Sequence, residues 1–144
     1  MSYWDSSALV KLYLHESDSA VFEALAAQPG PMRTCPLGEF ESLLTIRHHE
    51  AARRLTGQQA DQLIEDLLFD VETGVVEVVA PDLKVYSEFQ HVVQTCLKRP
   101  QPISIRTLDA LHLAAALSVS ETEFVSHDHR QRAAAAALGM SVLP

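Results

Sequence analysis

The chain has 144 residues, of which 47% are hydrophobic and 21% are charged. This length fits one domain with a sizeable core, and this composition excludes a disordered or fibrous protein. Nineteen acidic against eleven basic residues give a formal net charge of −8, which argues against a simple basic groove for nucleic acid. The charge does not exclude a nucleic-acid substrate, because carboxylates around a divalent cation still attract phosphate once the cation is bound.

The sequence also indicates the cellular compartment of the protein. No apolar run approaches the roughly 18 residues of a membrane helix, and residues 1–5 lack the basic start and apolar stretch of an export signal. The two cysteines, Cys35 and Cys96, are far apart and neither belongs to a CxxC pair, so a zinc ribbon or a thioredoxin motif has no support. We expect a soluble, cytoplasmic protein with reduced, buried thiols and no membrane partner.

Short strands alternate with longer helices along the chain. The clearest strand is a β-branched run bracketed by Gly74 and Pro81. Strands are predicted over 2–5, 32–35, 75–79, 123–126 and 141–143, and helices over 7–14, 18–27, 37–55, 58–73, 82–98, 107–118 and 128–138. This alternation predicts a single α/β domain over 1–144, a three-layer α/β/α sandwich with a parallel sheet of about five short strands.

Three aspartates recur at the junctions between strands and helices. Asp5 ends the first predicted strand, Asp128 follows the fourth, and Asp109 lies in the first turn of the helix over 107–118. Each aspartate alone is explained as a helix cap or a partner of the helix dipole, so the argument for function depends on the whole set. In a parallel sheet these positions converge on the carboxyl edge, where ligands bind. Together with Glu39 or Glu41, such acids would repel one another without a cation, and their hard oxygens suit Mg²⁺ or Mn²⁺.

Four segments carry a resemblance to a known family: DSSAL from residue 5, PLGEFE from residue 36, LDALHLAAA from residue 108 and FVSHDHRQR from residue 124. Together they resemble the PIN-domain family, and within it the VapC branch of ribonuclease toxins from bacterial toxin–antitoxin pairs. The likeness covers essentially the whole chain. It implies a metal-dependent endoribonuclease that hydrolyses RNA with Mg²⁺, or with Mn²⁺ in its place, and that a cognate antitoxin protein restrains. We also expect a homodimer.

The resemblance implies roles for particular residues. By position, the acidic catalytic and metal-binding set is Asp5, Glu41, Asp109 and Asp128. Ser126 matches the small hydroxyl residue that precedes the last acid by two, and Ser7 is expected to support the set.

Two features depart from or complicate the family pattern. Glu39 competes with Glu41 for one family position, and the resemblance favours Glu41, whose spacing to the apolar residues downstream matches the family pattern. Since residues two apart on a helix point about 200° apart, we do not expect both glutamates to face the metal. Relatives often carry another acid after the last aspartate, whereas His129 and Arg130 follow Asp128 here. Operation with one metal ion or with two therefore stays open.

Neighbouring residues allow functional and structural interpretations. His127 and His129 flank Asp128, but no third ligand has a zinc-like spacing. His112 follows Asp109 by three residues and is interpreted as a packed side chain, with a proton relay as the alternative. The side chains of Arg106 and Arg130 border the acids and either position RNA phosphates or form a solvated rim.

Two further expectations concern partners and competing functions. An apolar groove for the antitoxin is predicted on the first helices and the long helix after them, with burial in the core as the alternative for each residue of the first helices: Leu9, Leu12, Tyr13, Val21, Phe22 and Leu25. The competing functions are a PIN-like binding module with an incomplete metal site, and a housekeeping RNA-processing nuclease without an antitoxin.

Overall fold

The computed structural model describes residues 1–144 and contains one sheet of five short strands. The strands are β1 (Ser2–Trp4), β2 (Met32–Thr34), β3 (Val76–Val78), β4 (Glu123–Val125) and β5 (Ser141–Leu143). Their order across the sheet is β3-β2-β1-β4-β5, and every pair is parallel. The predicted parallel α/β architecture is thereby confirmed.

Seven α-helices connect and cover the strands. They are α1 (Ser6–Leu9), which continues as a 3-10 turn over Val10–Leu12, α2 (Ser19–Ala26), α3 (Pro36–Ala51), α4 (Gly57–Glu72), α5 (Leu83–Leu97), α6 (Thr107–Ser118) and α7 (His129–Ala137). No helix combines the length and the apolar character that crossing a membrane requires. The helix predicted to reach residue 55 ends at Ala51 instead, and Arg53 just beyond it adopts a left-handed conformation with φ of 57° that a helix cannot contain.

Two apolar clusters lie on opposite faces of the sheet. Successive side chains of a strand point to opposite faces, so the neighbours Tyr3 and Trp4 of β1 enter different clusters. Tyr3 stacks on Phe124 of β4, with ring centroids 5.5 Å apart, beneath α5, α6 and α7. Trp4 meets the ring of Phe22 edge-on beneath the first four helices. Cys35 and Cys96 are buried free thiols, as predicted.

The contribution of the first helices to the predicted apolar groove is wrong. Leu9, Tyr13 and Phe22 are buried members of the core cluster, and two of the remaining side chains, Leu12 and Leu25, pack against it. The sixth residue, Val21, is 46% exposed. The reason is that α1 and α2 cover the Trp4 face of the sheet, so their apolar side chains fill the space between helices and sheet.

Candidate active site at the carboxyl edge of the sheet

The carboxyl ends of β1 and β4 bring two polar side chains together. Asp5 follows β1, Ser126 follows β4, and the Asp5 amide donates a hydrogen bond to the Val125 carbonyl, 3.1 Å away. The Ser126 hydroxyl donates to Oδ2 of Asp5 at 2.5 Å, and it accepts a hydrogen bond of 3.0 Å from the Asp128 amide. A single buried hydroxyl therefore connects the first and last acids of the predicted set.

Asp5 is a buried carboxylate, with only 1% of its surface exposed. Its Oδ1 accepts hydrogen bonds from the Ser7 hydroxyl at 2.7 Å and from the Ala8 amide at 3.0 Å, so Asp5 also caps α1. Burial raises the pKa of Asp5, although the hydrogen bonds from Ser126 and Ser7 oppose this shift. All the hydrogen bonds that Asp5 accepts come from neutral groups, and a buried carboxylate in this state favours the approach of a cation.

Asp109 and Asp128 are joined through one residue of α7. The Gln131 side chain donates from Nε2 to Oδ1 of Asp109 at 3.2 Å, and the Gln131 amide donates to Oδ1 of Asp128 at 3.2 Å. Asp128 is the N-cap of α7, and Asp109 lies in the first turn of α6, where its Oδ2 accepts from the Arg106 amide. Both carboxylates therefore accept main-chain hydrogen bonds at the start of a helix, as the sequence predicts, and both also accept a hydrogen bond from Gln131.

Glu41 extends from the second turn of α3 and has two hydrogen-bond partners. Its Oε2 accepts from the Ser6 hydroxyl at 2.6 Å and lies 3.1 Å from Nε2 of His112. The hydrogen bond with His112 lowers the pKa of Glu41, although partial burial opposes this. Glu39 has no side-chain hydrogen bond. The structure therefore places Glu41 beside Ser6 of α1 and His112 of α6.

His112 lies at the centre of a buried polar cluster. Its Nδ1 is 3.0 Å from the Tyr3 hydroxyl and 3.7 Å from the Cys35 thiol. Burial favours the neutral ring, but hydrogen bonds to Cys35 and Glu41 outweigh it and raise the pKa of His112 to about 10. These contacts therefore favour the positively charged form of the ring. This charge reduces the repulsion among the nearby carboxylates, a role that neither sequence interpretation of His112 included.

A glycine makes the close approach of α3 to this cluster possible. A Cβ atom on Gly38 would lie 2.0 Å from the Thr34 hydroxyl oxygen and 3.4 Å from Cε1 of His112. Any other residue would therefore push the start of α3, and with it Glu41, away from the sheet.

The basic residues near the acids differ in how they are held. The guanidinium groups of Arg106 and Arg130 form no hydrogen bonds within the protein and are exposed, so they remain available at the rim. Arg132 instead donates to the carbonyls of Ser126 and Leu143, which ties α7 to two strands. His127 pairs with Asp18 at 3.3 Å. The His-Asp-His run therefore does not assemble a zinc site.

The acidic oxygens of the site are chemically suited to a hard divalent cation, although they do not form a complete coordination shell. No three histidine, cysteine or acidic side chains form a cluster that could hold a metal ion. The acids are instead joined through Ser126 and Gln131. All the acidic donors are oxygens, as Mg²⁺ and Mn²⁺ prefer. Two buried groups lack a suitable partner: the Asp5 carboxylate has no salt bridge, and Oε1 of Gln131 has no hydrogen bond.

Sequence reasoning missed four contributors to this site. They are Tyr3, Ser6, Cys35 and Gln131. Two of them carried a signal. Cys35 ends a predicted strand directly before the proline that begins α3, and Gln131 follows Asp128 by three residues, which places it over the same helix end.

Comparison with known proteins gives the family. The PIN domain matches residues 2–137, so the chain belongs to the PIN domain family. Among its relatives is the ribonuclease VapC46 of Mycobacterium tuberculosis, which is 29% identical over 143 residues, covering 98% of this chain and 95% of that protein. The ribonuclease VapC47 of the same organism is 28% identical over 140 residues, covering 90% and 86% of the two chains.

A solved structure supports the fold independently. The crystal structure of Mycobacterium tuberculosis VapC20, described as a toxin that cleaves the sarcin–ricin loop, matches all of both chains with a TM-score of 0.68. The sequence identity is 16%, so this likeness bears on the fold alone.

Proposed function

We propose that the protein is a VapC-type toxin, an endoribonuclease that hydrolyses RNA phosphodiester bonds in the cytoplasm with Mg²⁺, or with Mn²⁺ in its place. The observation that carries the proposal is one hydrogen-bonded chain at the carboxyl edge of the sheet, which links Asp5, Ser126, Asp128, Gln131 and Asp109. The two ribonuclease relatives, matched over almost the full length, support the same activity. We assign the metal-binding and catalytic roles to Asp5, Glu41, Asp109 and Asp128.

The chain's own residues prepare this site in distinct ways. A divalent cation held by carboxylates polarises a phosphate and activates water when it is bound. Ser7 and Ser126 hold the two oxygens of Asp5 in one orientation. Ser6 and His112 hold Glu41, and the charge on His112 offsets the acids around it. Because these hydrogen bonds already hold the carboxylates in place, no free energy is spent on ordering them when the substrate binds.

The exposed rim fits an RNA backbone. Arg106 precedes Asp109 by three residues and Arg130 follows Asp128 by two, and the guanidinium groups of both arginines are free of internal hydrogen bonds. Arginine binds phosphate oxygens in bidentate fashion, so these two side chains position the RNA without reading its sequence. The net charge of −8 makes such local cations more important for capture of a polyanion.

The test is cleavage of RNA by the purified chain with Mg²⁺ and with EDTA. Activity is expected only with the metal, and Asp5→Asn is expected to abolish it. Asp66→Asn is the matched control, because Asp66 is an exposed aspartate on α4 that accepts a hydrogen bond from Gln62 and contacts none of the four acids. Cleavage that continues in EDTA, or an Asp5→Asn variant that cleaves like the parent, would overturn the proposal.

The lack of a closed metal cluster favours one alternative, a PIN-like binding module without catalysis. The two functions differ in a direct measurement. A nuclease binds Mn²⁺ in a titration followed by electron paramagnetic resonance and loses that binding in Asp5→Asn, whereas a module with an incomplete site binds no Mn²⁺ in either form. A housekeeping nuclease would have the same metal site. Binding of a cognate antitoxin is the observation that distinguishes a toxin from such a nuclease.

The cognate antitoxin is part of the proposal. Because the first helices bury their apolar side chains in the core, we place the contact with the antitoxin on α3. Phe40 and Leu44 are exposed, lie one turn apart on α3, and flank Glu41. On co-expression with a cognate antitoxin, a stable complex is expected, with suppressed cleavage and weaker binding in Phe40→Asp. Leu83→Asp on α5 is the control, since Leu83 is also exposed. Light scattering after size exclusion tests the expected homodimer.

A further inference from the structure

Gln131 is a buried amide placed between two of the acids. Only 4% of its surface is exposed, and it lies in the first turn of α7. Its main-chain amide donates to Asp128, while its side-chain Nε2 donates to Asp109. Its Oε1 is buried and has no hydrogen-bond partner. One residue therefore donates a hydrogen bond to each of two carboxylates and carries a buried acceptor without a partner.

The orientation of this amide follows from its neighbour. A reversed amide would bring Oε1 against Oδ1 of Asp109, which can only accept a hydrogen bond when it is ionised. Nε2 must therefore face Asp109, and Oε1 must be the atom without a partner. A buried acceptor in this state lowers stability, so a glutamine that served packing alone would be disfavoured relative to an apolar residue of the same size.

We propose that Gln131 is a positioning residue of the metal site: its Nε2 fixes Asp109 relative to Asp128, and its Oε1 accepts a hydrogen bond from the water shell of the bound divalent cation. This inference rests on the proposed function. Mg²⁺ gives up its water reluctantly and usually keeps several molecules when proteins bind it, so a site for it needs acceptors for those waters as well as direct ligands. A neutral amide supplies such an acceptor without adding a further negative charge to the acids.

The decisive variant is Gln131→Met, which keeps the length of the side chain and removes both polar atoms. Mn²⁺ affinity of the full, metal-free chain is measured by electron paramagnetic resonance, and Tm is measured without metal. The dissociation constant for Mn²⁺ is expected to rise by about tenfold, which is typical for loss of a residue that orients metal ligands. The Tm of the metal-free protein is expected to stay the same or to increase, because the unpartnered acceptor is gone.

A matched control is present on α4. Gln62 also donates its Nε2 to an aspartate, Oδ1 of Asp66, at 3.0 Å, but it does so on an exposed helix surface. Gln62→Met therefore removes the same kind of hydrogen bond and is expected to leave Mn²⁺ affinity unchanged.

Gln131→Glu gives an independent test that does not need the methionine variant to fold. It places a carboxylate where Nε2 now contacts Asp109, so the metal-free Tm is expected to fall. Mg²⁺ relieves this repulsion, and the rise in Tm on adding Mg²⁺ is expected to exceed that of the parent. A rise equal to or smaller than that of the parent would contradict the proposal.

The outcomes separate this inference from the function beneath it. If the parent binds Mn²⁺, Asp5→Asn loses it and Gln131→Met stays within about twofold of the parent, the role of Gln131 is wrong and the nuclease stands. A lower metal-free Tm with unchanged Mn²⁺ affinity would likewise show that Gln131 only packs. If the parent binds no Mn²⁺, both proposals fall.

Discussion

Ser126 donates its hydroxyl proton to Oδ2 of Asp5, a residue 121 positions earlier in the chain. The contact is possible because β1 and β4 are neighbours in the sheet and end at the same edge. The hydroxyl also accepts from the Asp128 amide, so the orientation of Asp5 is coupled to the start of α7.

Ser126→Ala is therefore expected to lower RNA cleavage by about 10- to 100-fold while the fold is retained, because Asp5 loses the group that orients Oδ2. Cleavage rates at saturating Mg²⁺ measure the effect, and circular dichroism checks the fold. Ser42→Ala is the control: Ser42 is also buried, but its hydroxyl has no hydrogen-bond partner. Equal activity in the two variants would show that Ser126 does not act through Asp5.

Asp5→Asn is expected to raise the Tm of the metal-free protein at neutral pH. Burial raises the pKa of Asp5 in the folded state above its ordinary value of 3.8, so ionisation costs more in the folded than in the unfolded chain. This cost is complete above the folded-state pKa and vanishes as the pH falls below about 3.8. Asparagine avoids it and keeps the capping bond from Ala8.

Thermal unfolding across this pH range measures the difference between the two proteins. The stabilisation by asparagine should shrink as the pH falls, and added Mg²⁺ should raise the Tm of the parent alone. A stabilisation that grew on acidification would contradict the assigned direction of the pKa shift.

Glu41→Gln is expected to reduce RNA cleavage much more than Glu39→Gln. Glu41 is held by Ser6 and His112, whereas Glu39 has no side-chain hydrogen bond. Both changes remove one charge from the same helix, so the pair is matched in net charge and chemistry. Initial rates with Mg²⁺ decide between them, and the reverse order would place the other glutamate at the metal.

Phe22→Asp is expected to unfold the protein, since Phe22 of α2 is buried against Trp4 and a carboxylate there would replace these apolar contacts. Val21→Asp one residue earlier is expected to change the free energy of unfolding by no more than about 0.5 kcal/mol, because Val21 is largely exposed. Urea titrations measure both. A folded Phe22→Asp protein that loses a partner would revive the groove that the structure contradicts.

Local sequence patterns predicted much of the fold. The alternation of β-branched runs with helical periodicity predicted the parallel sheet, and the end of each strand could be placed to within about two residues. The resemblance to the family favoured Glu41 over Glu39, and in the structure Glu41 contacts α1 and α6. The boundary errors arose where a local conformation overrode the pattern, as at Arg53, whose left-handed backbone lies beyond the early end of α3.

The sequence by itself placed Asp5 and Asp128 after strands and Asp109 at the start of a helix, since capping and periodicity are local properties, and its resemblance to the PIN family supplied the expected set of acids. Only the tertiary structure decided that Leu9 and Phe22 are core and that Gln131 joins Asp109 to Asp128. It also decided that His112 contacts both Tyr3 and Glu41. These contacts join residues far apart in the chain, and they depend on the order of the strands and the packing of the helices, which no local pattern specifies.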